Sequence, residues 1–253
     1  MALAHIERLT SLQNPLLKLV RKAFAKGSAT EDGLILAEGF HQIEEARRSQ
    51  AKVEVVIGTE HALGRIGNIA PRLVELSDAF FRETAGTEAP QGILALVRLP
   101  AWQPAQLWSA EALVLVLDGI QDPGNAGTMI RTAEAFGATG VVALKGTVDL
   151  NNPKVIRASA GSIFRVPTLR SSTAEIPVPS YAAAADAKLT VRDVDWKGPA
   201  AIIIGSEGHG VSAPLRKAST GVRIPTRGVE SLNAGIAAAV LLYEAAAQRG
   251  TNK

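Results

Sequence analysis

The sequence predicts an α/β fold, on three observations. Short strand patterns alternate with amphipathic helical patterns along the chain, and this alternation is typical of layered α/β domains. Two runs, Leu113–Leu117 and Ala200–Ile204, are apolar without interruption, which indicates strands buried on both faces of a parallel sheet. Both runs stop abruptly before polar, glycine-rich sequence. The ends of such strands are where open α/β sheets bind their ligands.

The first 98 residues predict a small α/β unit. Pro15 suits the first turn of a helix, and Leu16, Leu19, Val20 and Phe24 follow at helical spacing. The expected strands are Leu34–Ala37, Val53–Ile57, Leu73–Leu76 and Ile93–Val97, and the expected helices are Phe40–Ser49 and Asp78–Glu83, with Ser77 as an N-cap. Gln91-Gly92 precedes the fourth of these strands, and the sequence assigns no chemistry to it.

Charge is unevenly distributed, although the formal net charge is only +3. Basic residues at the N-terminal end outnumber the acidic Glu7; they are Arg8, Lys18, Arg21, Lys22 and Lys26. Such an end can bind a polyanion such as RNA, and it can equally be the solvated face of a helix.

Residues 99–111 predict a linker, because they contain two prolines and two tryptophans with little periodicity. The sequence leaves two roles open for Trp102 and Trp108, packing on a domain surface or stacking on bases. Packing is the favoured interpretation.

The C-terminal part predicts further strands and helices around the two apolar runs. After Leu113–Leu117, Asn125 is expected to cap a helix that runs to Phe136. The remaining expected elements are a strand at Gly140–Leu144, helices at Pro153–Ala158 and Tyr181–Ala187, an edge strand at Leu189–Arg192, a strand ending at Ile224-Pro225, and a long alanine-rich helix at Ala234–Arg249. Arg157, Ser159 and Ser162 are expected on a helix surface, and contact with RNA phosphate is the alternative.

Three ordered motifs in this part resemble those of the SpoU (TrmH-like) RNA 2′-O-ribose methyltransferases of the SPOUT superfamily. The first is Asn125-Ala126-Gly127-Thr128 with Arg131-Thr132-Ala133, and the second is the glycine-rich Gly205–Gly210. The third is Ile224-Pro225 followed by Glu230-Ser231-Leu232-Asn233. The opening of the chain, with Ala37-Glu38-Gly39, is similar to the N-terminal domain of many SpoU enzymes.

This resemblance implies a domain organisation and a cofactor. Residues 1–98 would form an RNA substrate-binding domain that resembles a ribosomal-protein-type α/β sandwich, 99–111 the linker, and 112–253 a trefoil-knotted methyltransferase domain. The cofactor would be S-adenosyl-L-methionine, held by backbone groups at Gly205, Ile224 and Leu232. A side chain at Gly205 would keep the backbone away from that ligand.

The resemblance also implies the catalytic residues, with Arg131 nearest the ribose 2′-hydroxyl. A guanidinium is effectively always protonated, so Arg131 could accept the hydroxyl proton only if the site strongly disfavoured its charge. We expect Arg131 to position and polarise instead, with Glu207 as its ion-pair partner or as the proton acceptor. Asn125, Ser231 and Asn233 are candidates for hydrogen bonds to the hydroxyl or phosphate. Each has a structural alternative: an ion pair with Glu134 for Arg131, a loop carboxylate for Glu207, and helix capping for Asn125, Ser231 and Asn233.

The expected activity is methyl transfer to structured RNA, with 23S ribosomal RNA favoured over transfer RNA and a homodimer as the assembly. The alternative from another class is a non-catalytic RNA-binding or ribosome-assembly protein on the same scaffold. Gly205–Gly210 reads G-x-x-G-x-G, which differs from the dinucleotide fingerprint. The histidines His5, His41, His61 and His209 lack metal-ligand spacing, so no metal is expected. His209 is left open as an RNA contact.

Composition excludes two further classes and predicts a compartment. The sequence has no cysteine, which excludes a disulfide framework and thiolate chemistry. It contains no apolar run near the ~20 residues of a membrane helix and no apolar signal-peptide core at the N-terminus. A cytoplasmic protein without membrane attachment is therefore expected.

Overall fold

The structure is a computed structural model that describes residues 6–67, 69–172 and 175–250. In chain order its strands are β1 Ile6–Arg8, β2 Ile35–Glu38, β3 Lys52–Gly58, β4 Arg72–Glu75, β5 Ile93–Arg98, β6 Leu113–Asp118, β7 Gly140–Ala143, β8 Thr168–Arg170, β9 Ser180–Ala183, β10 Leu189–Thr190, β11 Ala200–Gly205 and β12 Thr220–Arg223. Its helices are α1 Pro15–Lys26, α2 Phe40–Arg48, α3 Glu60–Ile66, α4 Asp78–Thr84, α5 Pro104–Leu107, α6 Pro123–Ala135, α7 Pro153–Ala158, α8 Ala213–Ala218 and α9 Ala234–Gln248.

Residue contacts divide the chain into two compact units, the first made of residues 1–101 and 151–165 and the second of residues 102–150 and 166–253. Within the described residues the first unit holds a five-stranded sheet in the order β1-β4-β3-β5-β2. Its core combines one face of that sheet with α1 and α4, through buried residues such as Leu17, Val20 and Phe81. The predicted elements of this unit are confirmed, including the Ser77 cap, whose side chain accepts from Phe80 N.

Gln91 has a role that the sequence did not assign. Helix α2 begins after Gly39, which has φ 93° and no side chain to cap the helix. The Gln91 side-chain oxygen accepts a hydrogen bond from Phe40 N at 3.1 Å. A residue 51 positions away in sequence therefore caps α2.

The segment Asn151–Arg165, which the sequence analysis assigned to the C-terminal domain, packs in the first unit. Asn152 caps α7 as expected for a helix that opens at Asn152-Pro153. The expectation that Ser159 and Ser162 are surface residues was wrong, because they are 0% and 3% exposed. Ser159 instead donates to the carbonyl of Ile156 at 2.7 Å.

The second unit is built on a parallel sheet. Its described strands run in the order β10-β12-β9-β11-β6-β7-β8, and every neighbouring pair is parallel. Residues Leu113–Leu117 and Ala200–Gly205 are buried throughout, which confirms the prediction of central strands covered on both faces. The expected edge strand near Leu189 is confirmed as β10.

The prediction of a helix at Tyr181–Ala187 was wrong, because the chain there forms β9. β9 pairs with β11 on one side and with β12 on the other. Pairing on both edges overrides the helical preference of the alanine run. The threading that would make a trefoil knot stays a prediction.

Part of the predicted linker at residues 99–111 forms a short helix and packs against the second unit's apolar core. Residues Pro104–Leu107 form α5, and Leu107 is fully buried. Trp108 packs against the apolar cluster around Leu107, Val114 and Val116. Packing is therefore the role that the structure gives to Trp108.

Candidate active site

The glycine-rich segment after β11 is a tight turn that folds back on its own strand. Ser206 pairs with Gly210 in an isolated bridge, and Gly210 N donates to the Ser206 carbonyl at 2.8 Å. A Cβ placed on Gly205 would lie 2.0 Å from the Gly210 carbonyl carbon and 2.1 Å from Val211 N. The expected reason for a glycine here was close approach of a ligand; the structure shows that the turn's own backbone excludes a side chain.

Asp118 fixes the exit of this turn. It ends β6 and lies beside Gly205 in the parallel register of β6 and β11. Its Oδ2 accepts from Ser212 N at 2.7 Å, immediately before α8. The sequence motifs do not include this carboxylate, although its place at the end of an apolar strand is a usable signal.

Asn125, Glu207 and Asn233 come together from the three motifs. Glu207 Oε1 accepts hydrogen bonds from Asn125 Nδ2 and from Asn233 Nδ2, the second at 2.9 Å. Asn233 Nδ2 also lies 3.2 Å from Asn125 Oδ1. One carboxylate is thus oriented by two amides, each at or near the start of a helix.

The capping prediction for Asn125 was wrong, and the capping alternative for Asn233 is correct. Asp122 caps α6 through a 2.7 Å bond from Asn125 N, because the helix begins at Pro123. This leaves the Asn125 side chain available to Glu207. Asn233 Oδ1 accepts from Gly235 N at 2.9 Å and from Ile236 N at 3.2 Å, which caps α9.

A cavity of about 360 Å³ lies at the ends of β9, β11 and β12. Its lining includes the three positions predicted to hold a cofactor, together with Ser231 and an ion pair; these residues are Gly205, Ile224, Leu232, Ser231, Asp186 and Arg216. The hydrogen bond from the Arg216 guanidinium lowers the pKa of Asp186, and the same bond raises the pKa of Arg216. A volume of this size is within the range of small-molecule sites.

A second cavity, of about 220 Å³, adjoins the first. Both are lined by Ser206, Glu207, His209 and Ala234. The smaller one is also lined by Gln121, Asn125 and Gly208, which the larger one lacks. The Glu207 cluster therefore stands where the two cavities meet.

Arg131 is the predicted site residue that the structure places apart. It is exposed on α6, six residues beyond Asn125, and the helical repeat puts the two side chains on different faces. Within residues 6–67, 69–172 and 175–250 the Arg131 side chain makes no hydrogen bond or ion pair, so neither the expected pair with Glu207 nor the pair with Glu134 forms among them.

Metal-ligand clusters and membrane-spanning helices are both absent from the described residues. No group of three or more His, Cys, Asp or Glu side chains there is arranged to hold a metal ion; His5 lies outside the described residues. None of the described helices combines the length and apolar character that crossing a bilayer needs.

Comparison with protein families gives two matches along the chain. Residues 112–243 match the SpoU rRNA Methylase family, and residues 14–95 match the MRM3-like substrate binding domain. The chain is 34% identical over 248 residues to the 23S rRNA (guanosine(2553)-2′-O)-methyltransferase RlmP of Bacillus subtilis, which covers 94% of this chain and 98% of the relative.

Solved structures show the same architecture over nearly the whole length. A crystal structure of an AdoMet-bound rRNA methyltransferase from Sinorhizobium meliloti superposes with a TM-score of 0.82 at 26% identity, covering 95% of this chain and 97% of that one. A crystal structure of an RNA 2′-O ribose methyltransferase gives a TM-score of 0.77 at 32% identity, covering 96% and 99%.

Proposed function

The chain belongs to the SpoU rRNA methylase family, and we propose from this membership that it transfers a methyl group from S-adenosyl-L-methionine to a ribose 2′-hydroxyl of ribosomal RNA. The observation that carries the proposal within the molecule is the oriented Glu207 cluster at the junction of two cavities. A methyl donor and an acceptor hydroxyl must meet in line at one point, and such alignment supplies much of the rate.

The larger cavity fits the cofactor in size and in charge. When bound, S-adenosyl-L-methionine supplies an electrophilic methyl group on a positively charged sulfur. Glu207 and Asp186 line the cavity with negative charge, and Arg216 lines it with positive charge, which suits a ligand that carries both signs. Backbone groups of Gly205, Ile224 and Leu232 would hold the cofactor, and Ser231, which lines the same cavity, would hydrogen-bond to the bound ligand.

Glu207 is the residue we assign as proton acceptor. Its Oε1 is occupied by the two amides, which fix the carboxylate plane, while Oε2 has no partner among the described residues. Carboxylate oxygens accept hydrogen bonds, so Oε2 can accept the 2′-hydroxyl proton as the oxygen attacks. Asn125 and Asn233 orient this carboxylate.

We also propose a homodimer, and Arg131 would lie in its interface. Helix α9 leaves Ile236 and Tyr243 54% and 53% exposed, and they lie seven residues apart on one face. Tyr243 contacts Phe136 at the end of α6 edge to face, with ring centres 5.6 Å apart. A second copy that covers this apolar stripe brings the exposed Arg131 of α6 into the interface, where it can polarise the hydroxyl or bind phosphate.

The substrate and compartment follow from the family. The MRM3-like substrate binding match at residues 14–95 supports RNA binding by that part of the chain, and we propose the cytoplasm as the location of the protein. Transfer RNA remains the alternative substrate, and a non-catalytic RNA-binding or assembly role remains the alternative function. Cofactor binding separates the catalytic from the non-catalytic role.

The test replaces Glu207 with glutamine, which keeps the amide contacts possible but removes the carboxylate. Calorimetry with S-adenosylhomocysteine measures cofactor binding, and transfer of radioactive methyl to ribosomal RNA from the source organism with this gene deleted measures activity. We expect unchanged binding and a rate lower by about 10²–10⁴. Glu175→Gln, an exposed glutamate of the second unit, is the matched control. If the wild-type protein does not bind S-adenosylhomocysteine, the proposed methyltransferase activity is excluded.

The dimer is tested separately by light scattering. Tyr243→Arg puts a charge on the apolar stripe and is expected to give monomers with reduced methyl transfer. A monomeric wild-type protein, or a dimeric Tyr243→Arg variant, would contradict the assigned interface.

A further inference from the structure

The smaller cavity lies where the acceptor must lie if the larger one holds the methyl donor. The two are separated only by residues they share, among them Ser206, Glu207 and His209. Its volume of about 220 Å³ is below the usual range for a whole small-molecule ligand. That size suits one part of a larger substrate, such as a single nucleoside of an RNA chain.

Two side chains at this cavity carry unused hydrogen-bonding groups. Gln121 and His209 are both exposed. Neither side chain has a hydrogen-bond or ion-pair partner within the described parts of the chain, where the only recorded bond of His209 is from its main-chain N to Ser206 Oγ. An amide and an imidazole each offer donor and acceptor atoms, which can read the polar edge of an unstacked base.

By contrast, two other polar side chains at this cavity already have hydrogen-bond partners. Asp122 caps α6, and Asn125 bonds to Glu207. Asn125 is thus occupied by Glu207, whereas Gln121 and His209 remain free for a ligand.

We propose that the cavity lined by Gln121, Gly208 and His209 is the subsite for the target nucleoside, with Gln121 and His209 contacting its base while the ribose 2′-hydroxyl faces Glu207. This inference rests on the proposed function and adds the residues that select the target. The ligand class is an unpaired nucleoside within ribosomal RNA. A flipped or single-stranded base is required, because a stacked and paired base cannot enter a cavity of this size.

Gly208 allows this subsite to be blocked without touching the cofactor cavity. It lines the smaller cavity and not the larger one. A Cβ at Gly208 meets no heavy atom within 4 Å, and its φ is not in the left-handed region. Gly208→Leu therefore adds bulk at the subsite without backbone strain. Gly198 shares both properties and lines neither cavity, so Gly198→Leu is the matched control.

The experiment measures S-adenosylhomocysteine affinity by calorimetry and methyl transfer to ribosomal RNA from the gene-deleted source organism. For Gly208→Leu we expect affinity within twofold of wild type and kcat/KM for RNA reduced at least tenfold. Gly198→Leu should stay within twofold in both measurements. Gln121→Ala, which adds no bulk, should raise KM for RNA severalfold with unchanged cofactor affinity.

The possible failures are distinguishable. Normal methylation by Gly208→Leu, or a loss of its cofactor affinity equal to its loss of activity, overturns the separate nucleoside subsite while leaving the proposed function intact. If Gly208→Leu does not fold, Gln121→Ala decides, and an unchanged KM for RNA overturns the inference. A wild-type protein that neither binds S-adenosylhomocysteine nor methylates RNA overturns the proposed function and this inference together.

Discussion

Arg249 at the end of α9 is expected to hold the C-terminal helix to the rest of the second unit, and Arg249→Ala should destabilise that unit by about 2–3 kcal/mol. Its guanidinium donates to the carbonyl oxygens of Trp196 at 2.7 Å, Glu111 at 2.9 Å and Ala112 at 3.1 Å, and also to Gly198. No carboxylate is among these acceptors. Burial lowers the pKa of Arg249, only partly opposed by the charge of Glu111.

The size of this destabilisation follows from counting the hydrogen bonds of Arg249 that are lost and those that water can replace. Hydrogen bonds that involve a charged group contribute about 1.5–3 kcal/mol each. Glu111 and Gly198 are exposed, so water can replace their bonds, and Ala112 O retains its bond from Ala200 N at 2.8 Å. One or two bonds are therefore effectively lost. Release of the arginine side chain returns entropy, up to about 2 kcal/mol, which keeps the net cost at the lower end of the sum.

Differential scanning calorimetry at one scan rate provides the measurement. A cost of about 1 kcal/mol shifts Tm by about 2–4 °C in a unit of this size, so Arg249→Ala should lower the apparent Tm by about 4–12 °C. Arg249→Lys should recover only part of this, because an ammonium is a point donor. Arg48→Ala, which removes an exposed ion pair with Glu44, should change Tm by little. A drop for Arg249→Ala no larger than that for Arg48→Ala would refute the reasoning.

Three further outcomes follow from other contacts. Arg131→Lys should lower methyl transfer at least tenfold, since an ammonium cannot make a bidentate contact. A rate near that of wild type with the same RNA would show that Arg131 has no role specific to its guanidinium. Asp118→Ala should weaken S-adenosylhomocysteine binding about tenfold by releasing the turn at Ser212, whereas Asp118→Asn retains an acceptor oxygen and should bind nearly normally; equal affinities for the two variants would contradict the positioning role. Gln91→Ala should destabilise the first unit by about 1 kcal/mol, because Phe40 N loses its cap. The measurement is the change in Tm, compared with that of the control Gln50→Ala. An unchanged Tm would show that water caps the helix equally well.

Much of the fold could be predicted from local sequence, because periodicity reports which side of an element is buried. The strands Leu113–Leu117 and Ala200–Ile204 needed no tertiary information, since uninterrupted apolar runs have few alternatives. The alanines after Tyr181 were misjudged for the opposite reason. Alanine favours a helix in isolation, and only the partners on both edges of β9 make it a strand.

The sequence predicted which residues form the candidate site better than it predicted the contacts between them. Asn125, Glu207 and Asn233 were named from three separate motifs, and they meet in the structure. Local sequence did not indicate that Asp122 would take the capping role, because Asp and Asn cap equally well and the helix start decides between them. Gly205 has a second reason that local sequence did not indicate, since a Cβ there would meet Gly210 of its own turn.

The walls of the larger cavity come from distant parts of the chain, with Asp186, Gly205 and Leu232 contributed by segments that follow one another toward the C-terminus. During synthesis the first two walls emerge well before the third. A polypeptide that stops short of Leu232 lacks one wall of this cavity. On the proposed function, affinity for the methyl donor is therefore acquired only after Leu232 has been added, and a product truncated before this residue should not bind the cofactor.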